Sequence, residues 1–272
     1  MNKYNKKVNI SVAGAAGRMG RMLVNTVHSH SQCSLVAATC HPSESEVIGK
    51  DAGLIAGLNS INVPISSNPK DLVKADVIID FTTPESTINN SNLAIKNKTG
   101  HVIGTTGLSS DQEQTIRKNS LKAPIVYAAN MSVGVNLLIA LIEKAVKSID
   151  YDWDIEILEM HHRHKVDAPS GTALTLGKTA AKVRDDQFEK VSKLSREGRV
   201  GERIKKEIGF ATLRGGSVVG DHTMVLAHDD ERIELTHKAT NRKIYANGAV
   251  KAAIWCATKQ TGLFNMKEVL KL

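Results

Sequence analysis

Aromatic residues are scarce in this chain, 4% of 272 residues, and no run of lysine or arginine is interleaved with them. A surface that stacks nucleic-acid bases needs that combination, so nucleic acid is not expected as a partner despite a formal charge of +8. Cysteine is nearly as rare. Cys33, Cys40 and Cys256 form no C-x-x-C pair, too little for a disulfide framework or a thiolate metal centre, and a reducing, cytoplasmic setting is expected. Long hydrophobic runs are missing too. The apolar stretch after the basic segment Met1–Lys7 is only a strand's length and meets glycines at once, which fits neither a signal peptide nor a membrane span. No lipidation signal and no internal repeat stand out.

What is present is ordinary for a soluble globular protein: 41% hydrophobic and 24% charged residues over a length that accommodates two domains. The positive balance favours an anionic partner such as a nucleotide or a carboxylate. Val8–Ala13 alternates as a strand, Gly14-Ala-Ala-Gly17-Arg-Met-Gly20 breaks it, and Arg21–Val27 continues as a helix. In dinucleotide folds a glycine turn of this kind brings backbone close to a pyrophosphate seated on the helix N-terminus. Further strands are expected at Leu35–Thr39, Asp76–Phe81, His101–Gly104 and Pro124–Ala128, with helices near Glu85–Lys96 and Asp111–Asn119. Strands alternating with helices predict an α/β, Rossmann-type doubly wound parallel sheet. The loops at Thr82-Thr83-Pro84, Gly104–Gly107 and Ala129-Asn130 follow the carboxyl ends of its strands, where ligands bind in such sheets. Cys40–Asn68 reads as a long connection of weak periodicity.

The richest stretch is Glu159-Met-His-His-Arg-His-Lys-Val-Asp-Ala-Pro-Ser-Gly-Thr172. Asp154–Met160 before it is β-rich, with Ile155 and Ile157 on one face, and the residues after Ser170 suit an amphipathic helix with that serine near its N-cap. The unit is therefore strand, cationic loop, helix start. Its helix-end N–H groups at Gly171 and Thr172, with Arg163 and Lys165, suit a small dicarboxylate, and its imidazoles can transfer protons near neutrality. A metal site is not expected. His161 and His164 lack the i, i+4 spacing of a zinc helix, and Arg163 and Lys165 repel a cation.

Met131–Ser148 reads as a long apolar helix leaving the first domain. Beyond Asp152 strands are expected at Ile208–Arg214, Gly216–Ala227 and Glu231–Lys238, forming one sheet with the strand before the histidines. Asp185–Lys206, charged and poor in apolar residues, is expected to be mobile surface. From Lys243 to Leu270 the pattern is helical again. The expected division is 1–131 with 242–272 as a dinucleotide-binding domain, and 132–241 as a second α+β domain with a mostly antiparallel or mixed sheet.

These segments, together with Ile79–Thr82, Val102–Gly107, Ala128–Asn130, Ser132–Asn136, Ser195–Gly198, Ile208–Thr212 and Thr236–Lys238, closely resemble the 4-hydroxy-tetrahydrodipicolinate reductase (dihydrodipicolinate reductase) family over nearly the whole chain. The resemblance implies reduction of a cyclic dicarboxylated imine by NADPH or NADH in diaminopimelate and lysine synthesis. It implies His161 as catalytic proton donor or acceptor, Lys165 as a second donor that also holds substrate, and His162, Gly171 and Thr172 as carboxylate ligands. Gly14, Ala15, Ala16, Gly17, Arg18, Met19, Gly104, Thr105, Thr106, Ala128, Ala129, Asn130 and Met131 are implied as dinucleotide contacts, and a homotetramer joined through the second domain's sheet as the assembly. Another two-domain nicotinamide-dependent dehydrogenase, or a dinucleotide sensor without chemistry, are the alternatives. Hydride transfer separates the last from an enzyme.

One position departs from the family. About twenty residues past the glycines, where an acid binds the adenosine ribose, the chain carries Cys40-His41 instead of Glu-Arg. Cys40 accepts hydrogen bonds poorly, while His41 and Arg18 can attract a 2′-phosphate, so NADPH is expected to serve at least as well as NADH. The alternative is that Glu44 or Glu46 folds back and restores the ribose contact.

Overall fold

Runs of valine and isoleucine buried on both faces build the first sheet of the computed structural model, which describes residues 7–272; the start of the basic segment, 1–6, lies outside the described residues. β1 (Val8–Ala13) leads through the glycine turn into α1 (Arg18–Ser29), and β2 (Cys33–Thr39) returns parallel to β1. Then come the short α2 (Ala52–Ile55), β3 (Ile65–Ser66) and a 3-10 turn at Pro69–Lys74. β4 (Val77–Asp80), α3 (Pro84–Asn97), β5 (Gly100–Ile103), α4 (Ser110–Ser120) and β6 (Pro124–Tyr127) complete the alternation. Ile10, Val12, Val77, Ile79, Val102 and Val126 share one core, as expected of parallel strands covered on both sides.

α5 (Val133–Lys147) opens the second part of the chain, followed by β7 (Asp154–His161), α6 (Gly171–Val183), α7 (Phe188–Val191), β8 (Ser192–Lys193), β9 (Ile208–Arg214), β10 (Gly220–Ala227) and β11 (Arg232–Ala239). Their sheet runs β11-β10-β7-β9-β8. β10 is antiparallel to both neighbours, while β7, β9 and β8 are parallel, so the sheet is mixed. Ile155 and Ile157 of β7 meet Ala173, Leu176 and Ala180 of α6 in its core.

α8 (Lys243–Cys256), β12 (Gly262–Phe264) and α9 (Met266–Leu270) end the chain, and β12 adds to β6 as the seventh strand of the first sheet. The chain thus divides into two units, one of described residues up to Val133 with Lys243–Lys271, the other of Gly134–Arg242. No helix among the described residues is long and apolar enough to cross a membrane.

Three segments differ from the sequence reading. Cys40–Asn68 is organised by one carboxylate: Asp51 caps α2 through Gly53 N–H and Leu54 N–H and also accepts from Ile61 N–H, Val63 N–H and the Ser60 hydroxyl. Asp185–Lys206 is pinned, because Arg196 and Arg203 both bind Glu156 of β7 and Arg203 also reaches Asp154. The last segment is helical only in part. Gly262-Leu-Phe264 is a strand too short for its period to show in the sequence.

Where α8 crosses, a Cβ at Gly248 would lie 1.7 Å from the Met131 carbonyl oxygen. The helix therefore approaches the end of the β6 loop at a distance only glycine permits. Gly248→Ala is expected to destabilise the protein by about 2 kcal/mol or more, read as a lower urea midpoint. An unchanged midpoint would show that this contact relaxes freely.

Candidate active site

β7 alternates buried and open positions, and its inward face changes character along its length. Ile155 and Ile157 are followed on the same face by Glu159 and His161, with β9 contributing Thr212 and Arg214 opposite them and β10 contributing His222 beside Glu159. Glu159 is 1% exposed. Removing a carboxylate from water costs several kcal/mol unless charge and hydrogen bonds replace the solvent. Arg214 supplies both, with its two terminal nitrogens at 2.8 and 2.9 Å from the two carboxylate oxygens. Ser170 N–H at 3.1 Å, His161 Nδ1 at 2.6 Å and the Thr212 hydroxyl at 3.4 Å add to the set. Burial pushes the Glu159 carboxyl upward, but hydrogen bonds and charge from Arg214 and His161 outweigh it and hold the group below its ordinary value.

Ser170 joins this carboxylate to a helix start. Its hydroxyl caps α6 by accepting from Ala173 N–H, and it lies 2.9 Å from His222 Nε2. The rings of His222 and His161 meet edge to face, centroids 5.0 Å apart. Burial, then the charge of His161, depresses His222 to a pKa of about 4. Nothing lies within 4 Å of where a Gly171 Cβ would stand, so space is open over the first residue of α6.

The loop between β7 and α6 holds the remaining expected residues. Lys165 Nζ is paired with Asp167 at 2.7 Å, and Arg214 also donates to the Asp167 carbonyl, which ties the loop to β9. His162 lies 3.4 Å from an Arg242 nitrogen; burial, and then the charges of Arg242, His164, His161 and Lys165, lower its pKa. His161, His162, Lys165, Gly171 and Thr172 therefore belong to one strand–loop–helix unit. No group of three or more His, Cys, Asp or Glu able to hold a metal occurs among the described residues.

The first unit carries a groove of about 610 Å³ at the carboxyl ends of β1, β2 and β4, lined by Gly14, Gly17, Cys40, His41, Glu44 and the Thr82–Thr83 loop, among others. Gly14 has φ +68°, and a Cβ there would lie 2.9 Å from the Thr82 methyl. A Cβ at Gly20 would fall 2.0 Å from the Gly14 carbonyl oxygen, so glycine lets α1 start hard against the turn. Gly17 is the N-cap of α1 and offers no side-chain acceptor, so the first N–H groups of that helix are available to an anion. These features fit a dinucleotide pyrophosphate. Ala15 N–H, by contrast, is bonded to the Thr39 carbonyl at 2.8 Å. Arg18 is exposed and Met19 packs partly into the core, while Ala16 is buried.

Gly104, Thr105, Thr106, Ala128, Ala129, Asn130 and Met131 do not line this groove. Thr105 lies behind it, hydrogen-bonded to Asp80, Thr87 and Thr82 N–H. Asp80 is fully buried and also binds Asn90 and His101. Burial pushes its carboxyl up, and bonds from His101, Thr82 and Asn90 bring it below the ordinary value. At the strand end, Glu44 has folded back: its carboxylate accepts from His41 N–H at 3.0 Å and faces the groove beside Cys40. Burial, then Glu44 and Glu46, raise the Cys40 thiol.

A parallel sheet with a glycine turn and an open groove at its strand ends, accompanied by a second unit bearing a carboxylate-held imidazole and a lysine, defines a nicotinamide-dependent oxidoreductase of the two-domain kind. The family models described as dihydrodipicolinate reductase, N-terminus and C-terminus, match residues 8–131 and 134–270. The chain belongs to the dihydrodipicolinate reductase family. It is 51% identical to 4-hydroxy-tetrahydrodipicolinate reductase of Afipia carboxidovorans, covering 96% of both chains. It is 48% identical to the enzyme of that name from Pseudomonas fluorescens, covering 97% of this chain and 98% of the relative. Among solved structures, dipicolinate-bound dihydrodipicolinate reductase from Paenisporosarcina sp. TG-14 matches with a TM-score of 0.78 at 25% identity, over 96% of this chain and 98% of that one.

Sequence reasoning passed over Arg214, Ser170 as a bridge, His222, Asp80 and Arg242. Only Glu159 left a readable sign, an acid two residues before His161 on a strand face that is otherwise apolar. His222 yields a stability prediction. The folded ring stays neutral down to about pH 4, whereas in the unfolded chain histidine takes a proton below about 6.5. Unfolding therefore gains protons between those values, and this part of the stability is intact above pH 6.5 and lost as pH falls toward 4. His222→Gln is expected to remove that loss, about 2 kcal/mol between pH 7 and 5, from urea midpoints compared at those two pH values. Equal pH slopes in both proteins would place the neutral ring elsewhere.

Proposed function

We propose that this chain reduces 4-hydroxy-tetrahydrodipicolinate, by way of dihydrodipicolinate, to tetrahydrodipicolinate in diaminopimelate and lysine synthesis. The observation that carries the proposal is the strand–loop–helix unit, where His161 is held by a buried carboxylate beside Lys165 and an open helix start. Full-length similarity to enzymes named for that reaction supports it. The bound nicotinamide supplies hydride. The chain supplies the rest: Gly171 and Thr172 at the start of α6, with His162 and Lys165, receive the substrate's carboxylates, and His161 delivers the proton that balances the charge left by hydride addition.

Gly14, Gly17 and the N-terminus of α1 hold the pyrophosphate, with Cys40, His41 and Glu44 at the adenosine end. NADPH serves at least as well as NADH, because position 40 itself carries a thiol rather than an acid and His41 and Arg18 can meet a 2′-phosphate. Glu44 acts in the other direction. The chain works in the cytoplasm as a homotetramer. The face of the second sheet opposite Glu159 supports that assembly, since it carries Leu158 and Leu213, 39% and 47% exposed, in register with Ala211 and Met160.

Steady-state kinetics of the wild-type protein and three variants test this reading. His161→Gln is expected to lower kcat by about 10² to 10⁴-fold while KM moves far less, since a proton donor acts mainly in the transition state. Lys165→Ala should raise KM and lower kcat together; a loss of thermal stability alone would return the loop to a structural role. With each dinucleotide in turn, Glu44→Gln should raise kcat/KM for NADPH relative to NADH by about fivefold, the effect of removing roughly 1 kcal/mol of repulsion. A wild-type preference for NADH of about tenfold or more, roughly 1.4 kcal/mol, would contradict the cofactor assignment.

A further inference from the structure

A histidine delivers a proton in a defined direction only when one ring nitrogen is held and the other is left open. Nδ1 of His161 lies 2.6 Å from the Glu159 carboxylate. An ionised carboxylate only accepts, so Nδ1 carries hydrogen and Nε2 is the nitrogen that exchanges its proton. At Nε2 the nearest residue of β10 is glycine: a Cβ on Gly220 would stand 2.9 Å from that atom, so position 220 leaves room that any larger residue would take.

The charges facing His161 come from every neighbouring element. β7 contributes Glu159, β9 contributes Arg214, β10 contributes His222, and β11 contributes His237, the cross-strand neighbour of His222. The loop adds His162, His164, Lys165 and Asp167, and Arg242 lies against His162. Asp167 is paired with Lys165 at 2.7 Å, and Asp221 acts on His237. Glu159 is the carboxylate that hydrogen-bonds His161, and the surrounding charge is otherwise mainly positive.

We propose that Glu159 is a positioning residue of the reduction: clamped by Arg214, its carboxylate fixes the Nδ1–H tautomer of His161 and stabilises the protonated ring against the cations around it. The inference rests on His161 being the proton donor. Arg214 has two effects. Its two-pronged bond orients the carboxylate and keeps it ionised. His222, neutral and fixed by Ser170, fills the space behind His161 without adding a competing charge.

The test is the pH dependence of kcat at saturating NADPH for Glu159→Gln, Glu159→Asp and His161→Gln. Glutamine keeps the size of the side chain and removes its charge. For Glu159→Gln the alkaline limb is expected to move to lower pH by about one unit or more. At pH 8 kcat should fall at least tenfold and recover in part at lower pH, while substrate KM and the NADPH dissociation constant read by fluorescence stay within about threefold. Glu159→Asp should restore part of the profile because the charge is present. A Glu159→Gln protein with the wild-type alkaline limb, or with raised KM and intact kcat, overturns the inference. His161→Gln separates the two claims: intact kcat there defeats the proton-donor reading itself, whereas lost kcat beside an unshifted Glu159→Gln profile defeats only the role of Glu159. Should Glu159→Gln fail to fold, imidazole nitrogen NMR of the wild-type protein decides, with the His161 signals assigned by comparison with His161→Gln. The Nδ1–H tautomer is expected, and an Nε2–H tautomer overturns the inference.

Discussion

A carboxylate buried at the end of a strand is the constraint on which the second unit depends. Glu159 is 1% exposed, and such a charge persists only if its lost hydration is replaced by well-placed donors. The donors come from separate parts of the chain: Arg214 and Thr212 on β9, Ser170 at the start of α6 and His161 on β7 itself. Meeting the needs of one side chain therefore fixes two strands, a helix start and both ends of the cationic loop. Stability and chemistry share the same bonds. The apolar packing of Ile155 and Ile157 against α6 brings the elements together, and the carboxylate sets their register at the site.

The first unit solves a related problem in the same way. Asp80, fully buried at the end of β4, accepts from Thr82 at 2.6 Å and from Asn90 at 2.9 Å, with Thr87, Thr105 and His101 within 3.3 Å. Those residues lie on α3, on β5 and on the loops that follow β4 and β5, so one anion ties these elements together behind the groove. In both units the buried acid sits near the carboxyl end of a strand, and side chains from neighbouring elements supply the donors it needs.

Much of this was legible in the sequence, and the limits have physical causes. β1, the glycine turn and α1 announce themselves because alternation, backbone-permissive glycine and helical period follow one another within twenty residues. The Ser170 cap of α6 is equally local. Asp51 was not legible, because its role depends on N–H groups up to twelve residues away that belong to no periodic element. Nor were Arg196 and Arg203, which reach Glu156 across 40 and 47 positions. Charge in that segment reads as solvent-facing surface, and most of it is exposed, but Arg196 and Arg203 turn back upon Glu156. At the site, the imidazole and lysine stood out by type and density, but Arg214 and His222 reach Glu159 and His161 only through strand pairing between β7, β9 and β10. Glu44 sat between two readings until the turn at His41 placed its carboxylate in the groove.

Hydride transfer to the reduced product is the measurement that tests the central claim most directly. Freshly made 4-hydroxy-tetrahydrodipicolinate is added to the protein with NADPH, and loss of nicotinamide absorbance is followed alongside formation of tetrahydrodipicolinate. The account predicts substrate-dependent oxidation, one dinucleotide for each product molecule. Quenched or shifted NADPH fluorescence with no oxidation would contradict it, leaving a chain that binds the dinucleotide and performs no chemistry.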